Sequence, residues 1–143
     1  MPYRYLDDIA TADVAFEAWG QTLEELFIAA ADATMNVMVE DLTTIIPREH
    51  RTIRAEADAI DMLLFEFLQE LIYYKDAERL LLRVSRVHID RRDDHALLAA
   101  EASGEELDPQ KHELLVDVKA VTLHRFQVER TADGWRAMVI LDI

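Results

Sequence analysis

Apolar and polar residues alternate over short stretches at the start of the chain, which predicts two strands. The first runs from Tyr3 to Leu6 and the second from Asp13 to Ala18, where Gly20 is expected to end it. The loop between them passes through Asp7, Asp8, Ala10 and Thr11. In the second strand, Val14, Phe16 and Ala18 alternate with Asp13, Ala15 and Glu17, which is typical of a half-buried strand.

A capping box and a helical spacing of apolar residues predict the first helix. Thr22 and Glu25 stand three positions apart, so that the hydroxyl and the carboxylate can each satisfy a free backbone donor. The helix is expected to end near Asp41. Its apolar positions recur at i, i+3 and i+4, and they are Leu23, Leu26, Phe27, Ala30, Val37 and Met38.

A second helix follows a linker around Pro47 and a short strand from Arg51 to Glu56, in which Ile53 and Ala55 are expected to face inward. Asp58 is predicted to cap this helix, which continues through Tyr74. Its apolar positions are Ile60, Leu63, Leu64, Phe67, Leu68, Leu71 and Ile72. The polar positions of its other face are interpreted mainly as solvated, and they are Asp61, Glu66, Gln69, Glu70 and Lys75.

The second half of the chain predicts two hairpins. Leu80 to Asp90 pairs with His95 to Ala102 across a polar turn. The final pair is Val116 to Glu129 with Gly134 to Asp142. The loop between the hairpins passes through Gly104, Asp108 and Pro109, and all three glycines of the chain are expected at breaks between elements.

The order of these elements is strands, helix, strand, helix and then a run of strands. This order predicts an α+β fold with mainly antiparallel or mixed sheets and two amphipathic helices packed against them. A chain of 143 residues, of which 51% are hydrophobic, is long enough for one substantial core. We therefore expect a single domain over residues 1–143.

The charge of the chain disfavours direct binding to nucleic acid. It carries 29 acidic against 15 basic residues, a formal net charge of −14, whereas affinity for RNA or DNA comes mainly from Lys and Arg at phosphates. Such acidity suits a basic protein surface or a divalent cation, although it also serves solubility alone.

Several other classes of protein are also disfavoured. The chain has no cysteine, no apolar run near the roughly 18 residues of a membrane span, and no basic N-terminal region followed by an apolar one. We therefore expect a soluble cytoplasmic protein. It also lacks a glycine-rich phosphate loop, paired histidines and a serine in a nucleophile elbow, which disfavours nucleotide binding, a zinc site and hydrolysis by a Ser-His-Asp arrangement.

Carboxylates provide the candidate chemistry. Asp13 begins a strand, and Asp142 ends one beside the α-carboxylate of Ile143. If the two strands meet, these oxygens suit a hard cation such as Ca²⁺, Mg²⁺ or Mn²⁺ rather than zinc. The alternative is a set of separate, solvated acids. Lys119 lies in the strand beside the terminal one, either in a surface ion pair or as a charge near the acids or presented to a partner.

Six segments of the chain, in this order and spacing, resemble the archease family. The resemblance covers nearly the whole chain, and no segment is decisive alone. The segments are Thr11 to Asp13, Ala18 to Phe27, Leu71 to Asp76, Gly104 and Glu105 with Asp108 and His112, Asp117 to Thr122, and Val139 to Ile143.

The resemblance implies an accessory protein without enzymatic activity of its own. Its partner would be an RtcB-type RNA ligase, which joins 2′,3′-cyclic-phosphate or 3′-phosphate RNA ends to 5′-hydroxyl ends, and whose guanylylation and multiple turnover archeases promote. The family binds a divalent cation, seen as calcium. The corresponding positions here are Asp13, Asp142 and Ile143, with Lys119 as a further functional residue.

The chain departs from the family at one position. Archeases commonly have His-Thr-Ala-Asp, and Ala10 replaces the histidine here. Cation binding through Asp13 survives this change, whereas a role that needs the imidazole does not. Two alternatives stay open, a stand-alone metal-dependent phosphohydrolase using the same carboxylates and a general chaperone, which would need exposed apolar surface.

Overall fold

The computed structural model describes residues 2–6 and 13–143. The predicted loop through Asp7, Asp8, Ala10 and Thr11 lies outside the described residues. These residues form two α-helices, α1 (Leu23–Met38) and α2 (Ile60–Glu78), and a short 3-10 helix (Leu42–Thr44). The strands are β1 (Tyr3–Leu6), β2 (Asp13–Gly20), β3 (Glu49–Ala57), β4 (Leu80–Arg92), β5 (His95–Glu106), β6 (Ala120–Thr131) and β7 (Gly134–Asp142).

The strands form two sheets. One has four strands in the order β1-β2-β7-β6, and the other has three in the order β3-β5-β4. Every strand pair of these two sheets is antiparallel. The predicted α+β fold with two helices and antiparallel sheets is therefore confirmed.

The two helices lie between the sheets and contact both. α1 packs against β2 and β7 of the four-stranded sheet and against β4 of the other, while α2 packs against β6 and against β3, β4 and β5. The two helices contact each other where Phe27 of α1 stacks on Phe67 of α2, with ring centroids 5.7 Å apart. Neither helix is long and apolar enough to cross a membrane, within the part of the chain that the structure describes.

The start of α1 follows the capping prediction, and its end differs. The Thr22 hydroxyl accepts a hydrogen bond from the Glu25 N–H at 3.1 Å, and the Glu25 carboxylate accepts one from the Gln21 N–H at 3.0 Å. All six apolar positions predicted for this helix are buried. The helix ends at Met38 instead of near Asp41, because Asp41 caps the 3-10 helix through the Thr43 N–H.

The predicted cap of α2 is wrong. Its N-cap residue is Ala59, which makes no side-chain capping hydrogen bond. The carboxylate of Asp58 lies 3.2 Å from Nδ1 of His95, at the start of β5, and does not reach the helix terminus. The carboxylate that the sequence pattern assigned to the cap therefore contacts the imidazole of His95 instead.

The expectation that every glycine lies at a break is also wrong, because Gly104 lies inside β5. This strand is central in its sheet, and Gly104 stands opposite Glu49 on one side and Leu82 on the other. A Cβ atom at this position would approach the carbonyl oxygen of Leu81 to 1.7 Å. Glycine therefore allows a close backbone approach and does not end the strand.

Candidate functional site

The structure brings Asp13 and Asp142 together. They stand directly opposite each other in the antiparallel pair of β2 and β7, at the first residue of one strand and the last of the other. Side chains of directly opposite residues project from the same face of the sheet, with Cβ atoms about 4.5 to 5.5 Å apart. The two residues that the sequence placed near each other are therefore direct neighbours across this strand pair.

The alternation of β2 decides which face carries the pair. Phe16 and Ala18 point into the core that α1 covers, so Asp13, Ala15 and Glu17 share the opposite face. On this face the carboxylate of Glu17 is paired with Arg4, whose Nη2 lies 2.7 Å from it. The two acids of β2 thus have different surroundings on one surface.

The aspartate pair differs from Glu17 in its charged surroundings. Within residues 2–6 and 13–143, no ion pair includes the side chain of Asp13 or Asp142. Like charges directly opposite each other in a sheet are destabilising. A cation placed between the two carboxylates would remove this repulsion.

Among the described residues, the atoms that could ligate a cation at the aspartate pair are oxygens. Ile143, whose side chain packs against the core, follows Asp142 and adds main-chain oxygens. Thr122 of β6 is opposite Ile140, which places it on the same face as Asp142, and its buried hydroxyl oxygen has no hydrogen-bond partner among the described residues. Oxygen donors of this kind fit a hard cation.

Side chains alone do not complete such a site. Among the described residues, no group of three or more His, Cys, Asp or Glu side chains is arranged to hold a metal ion. Asp13 and Asp142 would supply two carboxylates, so the other ligands would have to be main-chain oxygens or water. Ca²⁺ commonly takes carboxylate, carbonyl and water oxygens together, and Mg²⁺ keeps several waters.

Lys119 is joined to the pair through its main chain. Its N–H donates a hydrogen bond to the carbonyl oxygen of Asp142 at 2.8 Å, and its side chain is exposed. It lies just before β6 rather than inside it, because that strand begins at Ala120 and not at Val116 as predicted. Its ammonium group takes part in no ion pair within the described chain.

Sequence reasoning missed the position of Lys75, which was grouped with the solvated residues of α2. Glu66 of that set is exposed, but Lys75 is buried. Its Nζ lies 2.5 Å from Oδ1 of Asp117 and 2.8 Å from the carbonyl oxygen of Val118. Burial alone would lower the pKa of Lys75, and the hydrogen bonds to Asp117 and Asp76 outweigh it, so that the pKa is raised.

Glu105 is a buried acid whose carboxylate has several hydrogen-bond partners. Its carboxylate receives the Ile46 N–H at 2.8 Å, Lys111 Nζ at 2.7 Å and Arg48 Nε at 3.3 Å. His112 Nε2 lies 3.0 Å away, and it carries the hydrogen because Nδ1 accepts from the Asp108 N–H.

The hydrogen bonds to Glu105 control its ionisation. Burial alone would raise the pKa of this carboxyl, but the bonds from Lys111, the Ile46 N–H and His112 outweigh it and lower the pKa to about 2. The spacing of Gly104, Glu105, Asp108 and His112 was visible in the sequence, but their mutual contacts depend on the fold of the connection between β5 and β6.

The family model that matches this chain is the Archease protein family (MTH1598/TM1083), over residues 3–143. Curated relatives named protein archease include those of Thermococcus gammatolerans and Pyrococcus furiosus, which are 40% and 39% identical over 134 residues. Each alignment covers 93% of this chain and 94% of the relative. The chain therefore belongs to the archease family.

Two solved structures have the same fold. The solution structure of protein 1598 from Methanobacterium thermoautotrophicum is 35% identical, covers 99% of both chains and gives a TM-score of 0.85. A crystal structure from Thermotoga maritima, described as an archease and possible chaperone, gives a TM-score of 0.64 over 96% of this chain and 97% of that one. At 21% identity this second likeness shows the fold alone.

Proposed function

We propose that this protein is a non-enzymatic activator of an RtcB-type RNA ligase in the cytoplasm. It would act with a divalent cation, Ca²⁺ or alternatively Mg²⁺ or Mn²⁺, held by Asp13, Asp142 and main-chain oxygens of Ile143. The observation that carries the proposal is the direct pairing of Asp13 with Asp142 across β2 and β7. Membership of the archease family supports it.

The chain's own residues have separable tasks in this proposal. Asp13 and Asp142 would hold a cation between their carboxylates on one face of the sheet, and the bound cation would supply a positive charge there. Lys119 presents a second positive charge from an exposed position whose main chain is fixed to Asp142. Both charges suit an acidic or phosphorylated group in the active site of a partner protein.

The overall charge supports a protein partner rather than direct binding to RNA. A net charge of −14 repels phosphates but favours docking on a basic, RNA-binding ligase. Electrostatic complementarity of this kind mainly accelerates association and selects partners. We therefore expect the association to weaken as the salt concentration rises.

The direct test is guanylylation of the cognate ligase by GTP in the presence of Mn²⁺. We expect the wild-type protein to accelerate it, Asp13→Asn to lose that effect, and Glu17→Gln to keep it. Glu17 is the matched control because it lies on the same strand and face but is paired with Arg4. Equal ligase rates with and without the wild-type protein would refute the function, and full activity of Asp13→Asn would remove the carboxylate pair from it.

A general chaperone is the second candidate, and an exposed apolar run favours it. Leu114, Leu115 and Val116 are 38%, 49% and 43% exposed in the connection before β6. Exposed apolar surface is what a chaperone needs to hold unfolded clients. Suppression of aggregation of unrelated proteins at stoichiometric amounts would favour this function, and its absence would favour the ligase activator.

A stand-alone phosphohydrolase would use the same two carboxylates around a cation. It predicts turnover of phosphate esters by the purified protein without a ligase. Turnover that disappears in Asp13→Asn would support this reading against the activator. No turnover, together with acceleration of the ligase, would support the activator.

A further inference from the structure

Lys75 is buried within an otherwise apolar stripe of α2. Its side chain is 5% exposed, and it follows Leu68, Leu71 and Ile72 at helical spacing. Its Nζ contacts Asp117, the Val118 carbonyl and, at 2.5 Å, Oδ1 of Asp76. The three N–H donors of the ammonium group therefore each have an oxygen partner.

Two of these partners belong to the segment that leads into the candidate site. Val118 is fully buried, and the next residue, Lys119, donates its N–H to the carbonyl oxygen of Asp142. Asp142 in turn stands opposite Asp13. A continuous series of contacts thus runs from α2 through residues 117–119 to the end of β7.

Stability alone does not explain a lysine at this position. A well-packed apolar side chain in place of a buried ion pair is often neutral or stabilising. An apolar side chain, however, has no donor to fix the direction of the Val118 carbonyl. The directional bond is what Lys75 adds to this part of the fold.

We propose that Lys75 is a positioning residue that anchors residues 117–119 to α2 and thereby sets the main chain of Lys119 and Asp142 at the carboxylate pair. The part of this inference that concerns a cation rests on the proposed function. The part that concerns the main chain of Lys119 does not depend on it.

The test uses Lys75→Met in the full chain, with two readouts. The first is hydrogen exchange of the Lys119 amide, which we expect to become about tenfold faster once the Val118 carbonyl loses its donor. The second is Mn²⁺ affinity, measured by calorimetry, which we expect to fall about 10- to 100-fold, as for other groups that orient metal ligands.

Arg83→Met is the matched control. Arg83 pairs with Asp32 at 3.2 Å and joins α1 to β4, so this variant also loses a partly buried ion pair between a helix and a strand. It should leave Lys119 exchange and Mn²⁺ affinity unchanged. A comparable change in both variants would show a general loss of stability and would overturn the inference.

Asp117→Asn provides a second variant if Lys75→Met does not fold. The Asp117 side chain is 66% exposed, so its replacement does not threaten the core, yet it weakens one bond of Nζ. We expect a smaller increase in Lys119 exchange of the same sign. Unchanged exchange in each variant that folds would overturn the inference.

The two proposals fail in different ways. If the wild-type protein binds no Mn²⁺, the proposed cation site fails, and Lys119 exchange alone then decides the role of Lys75. If the wild type binds Mn²⁺ and Lys75→Met binds it equally well with unchanged exchange, the positioning role is overturned while the cation site stands.

Discussion

Two acidic regions of this molecule have opposite surroundings. Glu105 is buried and receives hydrogen bonds from Lys111, His112 and a backbone N–H, with Arg48 alongside. Asp13 and Asp142 face each other across β2 and β7, and within the described residues neither has an ion pair. The described residues supply the counter-charge for Glu105, whereas at the aspartate pair they place a second acid opposite the first.

This difference separates a structural acid from a candidate binding site. A carboxylate whose oxygens already accept hydrogen bonds from its own chain stabilises the fold and has few acceptor sites left for an outside ligand. Two opposed carboxylates cost free energy until a cation arrives. The two regions should therefore respond in opposite ways to loss of charge and to added metal.

Cation binding should respond most strongly to the loss of one carboxylate. Asp13→Asn removes one of the two proposed side-chain ligands. Loss of a group that only orients a ligand lowers metal affinity about 10- to 100-fold. Loss of a ligand itself should therefore lower Mn²⁺ affinity more than about 100-fold. Calorimetric titration with Mn²⁺ measures it. Glu17→Gln should keep the wild-type affinity, and an equal loss in both variants would contradict a specific site.

The next effect is on stability. Glu105→Gln removes the negative charge to which Lys111 and His112 are hydrogen-bonded. Hydrogen bonds to charged groups contribute about 1.5 to 3 kcal/mol. We expect the free energy of unfolding to fall by about 2 kcal/mol in urea denaturation. Mn²⁺ affinity should stay at the wild-type value, and a loss of affinity with unchanged stability would reverse the roles assigned to the two regions.

Glu105 also predicts a dependence of stability on pH. Its folded-state pKa of about 2 lies below the ordinary value of 4.5, so the unfolded chain takes up the proton first as the pH falls. The contribution of this carboxylate is full above the ordinary value and is lost as the pH falls toward 2. The stability difference between wild type and Glu105→Gln should therefore shrink over this range, and a constant difference would contradict the assignment.

The smallest effect has the opposite sign. Without metal, Asp142→Asn should raise the free energy of unfolding by about 0.2 to 1 kcal/mol, because it relieves the repulsion between opposed carboxylates. With excess Ca²⁺ the wild type should gain stability and the variant should not. Destabilisation of the metal-free protein by this substitution would show that the pair is not repulsive.

The helices, the strands and the approach of Asp13 to Asp142 were predictable from sequence. Apolar spacing defines α1 and α2 because each buries a continuous stripe. The two aspartates stand at opposite ends of strands that pair antiparallel, so they meet once the register is set by the apolar residues between them. Ile143 and Lys119 lie beside Asp142 in the structure, and their roles remain proposals.

The features that were not predictable depend on contacts between distant segments. The position of Lys75 on the apolar stripe of α2 favours burial, whereas its charge favours exposure to solvent. Lys75 is buried because Asp117 and Val118 provide oxygen partners for its ammonium group. Asp58 has the sequence position of an N-cap, but its carboxylate contacts His95 of β5 instead. Such competition has no signature in local sequence.

A Ca²⁺ titration of the isotope-labelled protein, followed by NMR, can show whether the two aspartates bind one ion together. If Asp13 and Asp142 share a cation, amide resonances of Asp13, Asp142 and Ile143 should shift together and saturate at one ion per chain. Shifts confined to other residues, or none at millimolar Ca²⁺, the weak end of protein affinities, would contradict it.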